Sequence, residues 1–381
     1  MTDLLERCAD RLPALLSDLE RMVHHESPSS DLGAVASSAE LTAEIGQDRL
    51  GVVPEFVEID GCTHLRWRFG TGQPRVLVLC HHDTVWPLGS LAEHRWSLED
   101  NVLRGPGCFD MKTGTAMAFH ALSLLNMRSG RQQLDGVTLL VTGDEEIGSP
   151  TSRAFIESEA AGCAAALVLE PSGPGGALKT ERKGTSMYQL AITGRAAHAG
   201  LEPERGINSS IELAHQILTV SAAADEEQGT SVTPTVASAG TTLNTVPARA
   251  LLKVDVRART DAEQQRVDQQ IRQLKPTLDG AELAVSGGIN RPPLMAEMSR
   301  ELFARARQLA PSAGIADLRG VAVGGASDGN FTAGIGIPTL DGLGAVGGGA
   351  HADGEHVIVS EIPSRLALLV LLVADLLASV E

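Results

Sequence analysis

Residues 76–84 read VLVLCHHDT. Five apolar residues stand in a row without polar alternation, so neither side of such a strand faces water. That is the pattern of a parallel strand covered on both faces. The run ends on His81, His82 and Asp83, which places groups able to bind protons or metals just beyond its carboxyl end. Two later runs repeat the arrangement. VTLLVTG at 137–143 is followed by Asp144, Glu145 and Glu146, and AALVL at 165–169 by Glu170 and Pro171. Helix-like stretches accompany them, at residues 36–50 and in GTAMAFHALSLLNM from Gly114. In open α/β sheets ligands bind beyond the carboxyl ends of the strands. A mostly parallel, doubly wound sheet therefore gathers these groups along one edge. Asp110, in the turn GPGCFDMKTG ahead of a helix, and His351, in the loop GGGAHADGEH, are placed to join them.

The character changes from about Lys183 to Arg291. SMYQLAIT reads as a strand, NSSIELAHQILTVSAA as a helix, TPTVASAG and ALLKVDVRA as strands, DAEQQRVDQQIRQL as a helix and AELAVS as a strand. The order β-α-β-β-α-β is that of a ferredoxin-like unit. The expectation is an α/β catalytic domain in two parts, residues 1–182 and 295–381, with a ferredoxin-like lid or dimerisation domain inserted at 183–294. The second part begins with a helix at 298–310, passes through the Gly-rich stretch 320–349 with a short apolar run at 335–340, and ends in an apolar helix from Leu366 to Val380. That last helix is short for a bilayer and contains Asp375, so it reads as buried.

The composition excludes several classes. The chain has 381 residues and a net charge of −17, which disfavours phosphate binding and with it a nucleic-acid role. Its first residues include early acids and no unbroken apolar run, unlike a signal peptide. The five Cys are an odd number without CxxC spacing, which suits a reducing compartment, so the cytoplasm is expected and no membrane partner. Gly342, Gly344 and Gly347 match a dinucleotide fingerprint formally, but they lead into a loop rather than a helix. HExxH does not occur, so helix-borne zinc proteases are unsupported.

Each strand-end group has an ordinary explanation taken alone. A His after a strand is commonly structural, and an acidic pair there commonly caps a helix. All of them falling at strand ends is what a metal centre asks for. Imidazoles with several carboxylates are zinc chemistry. Five or six such groups exceed the places on one tetrahedral zinc, whereas two ions sharing a bridging carboxylate would use them all.

HxDT at His81–Thr84, GPGxxDxK at Gly105–Lys112, DEExGS at Asp144–Ser149, Glu170-Pro171, and His351 with Glu355 together resemble the di-zinc exopeptidase and aminoacylase family. The pattern is nearest to the carboxypeptidase G-type glutamate carboxypeptidases. The resemblance spans nearly the whole chain and extends to GRAAHAG at 194–200 and to Asn244–Pro247. It implies two Zn2+ per chain, replaceable by Co2+ or Mn2+. It further implies His81 and Glu170 on one ion, Glu146 and His351 on the other, and Asp110 between them. Asp83 would orient His81 from behind, and Glu145 would be the general base. Glu170 being Glu rather than Asp tilts the substrate towards a free carboxylate at the leaving end. Arg291 would bind that carboxylate through its two-pronged guanidinium, and Asn244 would contact the substrate. His198 would be lent by the partner in a homodimer to stabilise the oxyanion. The substrate is expected to be a small peptide-like or N-acyl amino acid. The alternatives are an N-acyl-amino-acid deacylase, a dipeptidase or a non-catalytic relative. His82, Cys80 and Cys108 are read as bystanders.

Overall fold

The computed structural model describes residues 2–129 and 134–378. The chain forms two compact units: Met1–Glu181 with Leu294–Val323 and Ser327–Glu381, and Arg182–Pro293 with Gly324–Ala326. In the second unit Arg182 Nη1 donates to the carbonyls of Gly325 (3.0 Å) and Ala326 (3.3 Å).

The first unit is built on six strands in the order Glu55–Ile59, Cys62–Arg68, Val137–Thr142, Val76–His81, Ala165–Val168 and Thr339–Leu340. The last four run parallel, and Cys62–Arg68 pairs antiparallel with both its neighbours, so the mostly parallel sheet is mixed at one edge. The antiparallel edge is a hairpin that the sequence reading passed over. Its turn is Asp60-Gly61, both with positive φ (49° and 81°), the two-residue geometry that matches strand twist.

The three apolar runs have no exposed position. Because side chains alternate along a strand, Val76, Val78 and Cys80 enter one core while Leu77 and Leu79 enter another. The first core holds residues of helices Thr2–His24, Leu32–Leu50, Thr113–Ser129 and Ile362–Ala378, including Leu15, Leu19, Phe119 and Leu366. The second holds Ile156, Ala160 and Phe331 from helices Arg153–Ala160 and Gly329–Gly334. Both faces are covered, as expected. Inside the helical layer Asp18 accepts from Arg49 Nε (2.6 Å) and Nη2 (2.7 Å) and pairs with His120 Nε2 (2.9 Å), tying three helices together. The apolar helix Ile362–Ala378 is a core element, and among the described residues no helix is long and apolar enough to cross a membrane.

The second unit is a four-stranded antiparallel sheet in the order Ser231–Ala239, Arg249–Ala258, Gly184–Thr193, Glu282–Arg291. Helices Ser209–Ser221 and Asp261–Arg272 start at Asn208 and Thr260, whose side chains accept from the first free N–H groups. Tyr188, Leu190, Ile192, Leu252, Val254 and Val256 face Leu213, Val220, Val267 and Ile271 of the helices. The last strand continues past the expected AELAVS and ends on Arg291.

Candidate metal centre

Parallel register sets the strand ends level: His81 lies opposite Thr142, and Leu79 opposite Val168. His81, the last residue of its strand, is buried. Its Nδ1 lies 3.0 Å from the Asp83 carbonyl oxygen and 3.3 Å from Asp83 Oδ1. This leaves Nε2 to face Asp110 Oδ1 at 3.4 Å and Glu170 Oε1 at 3.6 Å. Asp83 also joins His81 to the acidic turn. Its Oδ1 accepts from the Glu145 N–H (3.3 Å), and its Oδ2 accepts from the Glu146 N–H (3.1 Å) and the Ser29 hydroxyl (2.6 Å).

On the other side of Asp110, Oδ2 lies 3.3 Å from His351 Nε2, which is also 3.1 Å from Glu146 Oε2. Each oxygen of Asp110 thus faces a different imidazole. The ligand atoms form two triads, His81–Asp110–Glu170 and Asp110–Glu146–His351, with Asp110 in both. His81 Nε2, Asp110 Oδ1 and Glu146 Oε1 are buried without a hydrogen-bond partner, a cost that a bound cation removes. Nitrogen and oxygen donors in this proportion suit zinc, so the residues fit a pair of metal ions.

The electrostatics agree. Burial acts to lower the His81 pKa, yet the facing carboxylates of Asp110, Asp83 and Glu170 prevail and raise it well above the usual value. Hydrogen bonds to Asp110 and Glu146 push His351 up to about 10. Burial, with the Asp110 charge added and His351 opposing, pushes Glu146 up to about 7. The carboxylates thus call for positive charge at both imidazoles. His351 itself has a positive φ of 62°, a conformation that costs energy in a non-glycine residue.

Glu145 opens a short 3-10 turn, Glu145–Ile147, and is buried. The preceding Asp144 points away from the triads. It accepts from Thr151 N–H (2.7 Å), the Thr151 hydroxyl (2.7 Å), Ser152 N–H (3.2 Å) and the Ser152 hydroxyl, anchoring the turn. A third cluster, Cys62–His64–Asp144, meets at Thr151, to which both His64 and Asp144 are hydrogen-bonded. His64 Nδ1 accepts from the Gly143 N–H, its Nε2 reaches Thr151 Oγ1 at 3.0 Å, and burial pushes the Cys62 thiol up to about 12. His82 is held by Thr63 O and Ser38 Oγ, and burial pushes it down to about 4. Burial likewise raises the Cys80 and Cys108 thiols.

The loop beside Glu170 is tied from the last described helix. Arg365 Nε donates to Gly344 O (3.1 Å), Nη1 to Gly176 O (3.0 Å) and Nη2 to Gly342 O. The Gly344 N–H donates to Glu170 O at 2.9 Å. A Cβ at Gly344 would lie 2.2 Å from the Leu169 carbonyl oxygen, so only glycine lets the loop lie this close.

In the second unit, His198 and Asn244 are brought together. His198 pairs with Thr245, and the Ala199 N–H donates to Asn244 O at 2.9 Å. Both residues are exposed. His198 Nδ1 accepts from the N–H groups of Gly200 and Leu201, both at 3.2 Å, which leaves the ring proton on Nε2. Arg291 is buried at the end of its strand, and its carbonyl accepts from Gln264 Nε2 at 2.9 Å. The sequence reading missed Ser29, Thr151 and Ser152. Ser29 stands 54 residues before Asp83, and no spacing pattern could have linked them.

The family model described as peptidase family M20/M25/M40 matches residues 77–375. Carboxypeptidase G2 of Pseudomonas sp. (strain RS-16) is 32% identical over 387 residues, covering 98% of this chain and 92% of that protein. A succinyl-diaminopimelate desuccinylase of Dechloromonas aromatica (strain RCB) is 26% identical, covering 84% of this chain and 88% of that protein. The crystal structure of an M20 family metallo-carboxypeptidase from Sulfolobus solfataricus superposes with a TM-score of 0.74 at 16% identity, over 96% of this chain and 99% of that one, a likeness of fold. The chain belongs to the M20/M25/M40 peptidase family. It is a metal-dependent hydrolase of peptide-like bonds, similar in sequence along almost its whole length to carboxypeptidase G2.

Proposed function

We propose that this enzyme uses two zinc ions to release an amino acid with a free α-carboxylate from an amide, as a glutamate carboxypeptidase does. The observation that carries the reading is Asp110, with one oxygen towards His81 and the other towards His351. His81 and Glu170 would hold one ion, Glu146 and His351 the other, and Asp110 both. When bound, the zinc pair polarises the scissile carbonyl and makes a water acidic. The remaining work falls to the chain. Glu145 takes the proton from the attacking water and hands it to the leaving nitrogen. Asp83 keeps the His81 ring in one tautomer. Arg291 pairs with the substrate carboxylate, and Asn244 contacts the substrate.

His198 carries its proton on Nε2, which makes it a donor suited to a developing oxyanion. In this reading it acts in the site of a second copy. The second unit would be a ferredoxin-like dimerisation module, a reading supported by its strand order. Strand Ser231–Ala239 lies at a sheet edge, and helix Ser209–Ser221 exposes Ile211, Ala214 and Leu218. A symmetric dimer would cover both features. No disulfide joins the five cysteines, in keeping with a cytoplasmic setting.

The desuccinylase likeness favours a second reading, N-acyl-amino-acid deacylation, with the same residues in the same roles. A hydrolysis screen of the zinc-loaded protein against folate-type glutamate conjugates, N-acyl amino acids and dipeptides separates the two. Turnover is expected where the released amine bears a free α-carboxylate. Equal turnover of the matching α-amides would sink the proposal.

A further inference from the structure

The turn that carries Asp110 is held by a residue far along the chain. Glu355 is buried, and its carboxylate accepts four hydrogen bonds. Oε1 takes the N–H groups of Phe109 (2.8 Å) and Asp110 (3.0 Å), and Oε2 takes the Gly107 N–H (2.9 Å) and the Trp86 indole N–H (2.7 Å). Three of the four donors are backbone groups of one turn, a concave nest that selects an anion. One of them is the N–H of Asp110 itself, so the residue with the shared oxygens is fixed at its own backbone.

Glu355 also follows His351 by four residues, and strand His356–Ile358 next to it pairs with Val102–Arg104, which leads into the same turn. A single segment therefore offers an imidazole to the cluster and anchors the carboxylate that imidazole faces. Keeping another buried anion next to this carboxylate-rich site is costly unless cations occupy it.

We infer that Glu355 is a positioning residue for the metal pair. It sets Asp110 so that its two oxygens serve both triads at once, and it locks the His351 loop to the same turn. The inference rests on reading Asp110 as the shared ligand. Partners behind a ligand typically contribute about 10–100-fold in metal affinity.

The test compares the parent with Glu355→Gln and Glu355→Ala. Gln keeps the shape and one acceptor oxygen but sets an NH2 group against N–H donors, whereas Ala removes all four bonds. Metal content, zinc affinity by competition with a chromophoric chelator, the visible spectrum of the cobalt-loaded protein and the Tm of the metal-free protein are measured for each. The parent is expected to bind two ions. Glu355→Gln should bind both about 10–100-fold more weakly, with an altered cobalt spectrum and a lower kcat at nearly constant KM. Glu355→Ala should be weaker still, and if it does not fold, Glu355→Gln carries the test. Parental affinities and cobalt spectrum in Glu355→Gln would overturn the inference, even if its metal-free Tm fell, because that result describes a purely structural contact. If the parent bound only one ion, the two-metal reading would fail on its own. The inference would then lose its shared-ligand part, and Glu355 would be kept as a positioning residue for that one ion only if Glu355→Gln weakened its binding.

Discussion

The two units use β-structure in opposite ways. Strands Val76–His81, Val137–Thr142 and Ala165–Val168 are buried at every position, while Gly184–Thr193 in the second unit alternates buried and exposed residues from Met187 on. A strand covered on both faces has no room for a functional side chain along its length. Its chemistry collects beyond its end, where His81, Glu145 and Glu170 are buried and Asp83 already holds the neighbouring backbone. The second unit leaves His198 and Asn244 exposed. A strand buried on both faces leaves its end groups desolvated and fixed, whereas an alternating strand carries exposed positions along its length.

The largest effect should come from the buried edge. Glu145→Gln removes a base and no proposed ligand, so kcat should fall by roughly two to four powers of ten while both metals stay bound. Steady-state rates with metal analysis decide this, and a variant that loses zinc would move the base role away from Glu145. The next effect tests the second unit. Arg291→Ala gives up a charge-assisted contact of about 1.5–3 kcal/mol, so kcat/KM on substrates with a free α-carboxylate should drop about tenfold to a hundredfold. The corresponding α-amides should lose little more, and equal losses on both would count against the carboxylate role.

A smaller effect probes the scaffold under the buried edge. Burial acts to raise the Asp18 carboxyl, but hydrogen bonds from Arg49 and His120 outweigh it and hold the pKa below the usual range. A carboxyl lowered by folding adds stability that is full above its unfolded pKa of about 4 and is lost as pH falls through its folded value. His120, pushed down mainly by burial, adds to the acid loss because the unfolded chain takes up that proton first, below about pH 6.5. Asp18→Asn should cost about 1.5–3 kcal/mol near neutral pH and flatten the decline below about pH 4. Parallel denaturation curves for parent and variant across that range would remove Asp18 from the account.

The smallest signal is the most specific. Glu145→Ala and His198→Ala should each be nearly inactive alone. Co-expressed at equal levels, about half the dimers are mixed, and each mixed dimer has one site with an intact base and an intact lent imidazole. About a quarter of full activity should therefore return. If mixed dimers form and no activity returns, His198 does not act across the dimer, and the exposed ground of the second unit serves some other contact.

Legibility followed the same division. The buried strands were readable because an unbroken Val/Leu run has one simple explanation, and His81, Glu146 and Glu170 were readable as candidates because they follow those runs, whereas Asp110 and His351 sit in Gly-rich loops. The hairpin was missed although Asp60-Gly61 signals it, because its edge strand Glu55–Ile59 is largely exposed and lacks an apolar run. The anchoring hydroxyls of Ser29, Thr151 and Ser152 left no trace, since such residues are common and only packing brings them to Asp83 and Asp144. Glu355 was visible as part of a motif, but three of its four donors are main-chain groups, to which a side-chain pattern is blind.

Arg365 has a consequence for how the enzyme is made. Its guanidinium holds the carbonyls of Gly342, Gly344 and Gly176 beside Glu170, yet it follows His351 and Glu355 in the sequence. During synthesis from the N-terminus, an ion that arrives early meets His81, Asp110, Glu146 and Glu170 without their imidazole counterpart, their anchor or their clasp. His351, the last of the proposed ligands in the chain, is made after the other four, and Glu355 and Arg365 follow it.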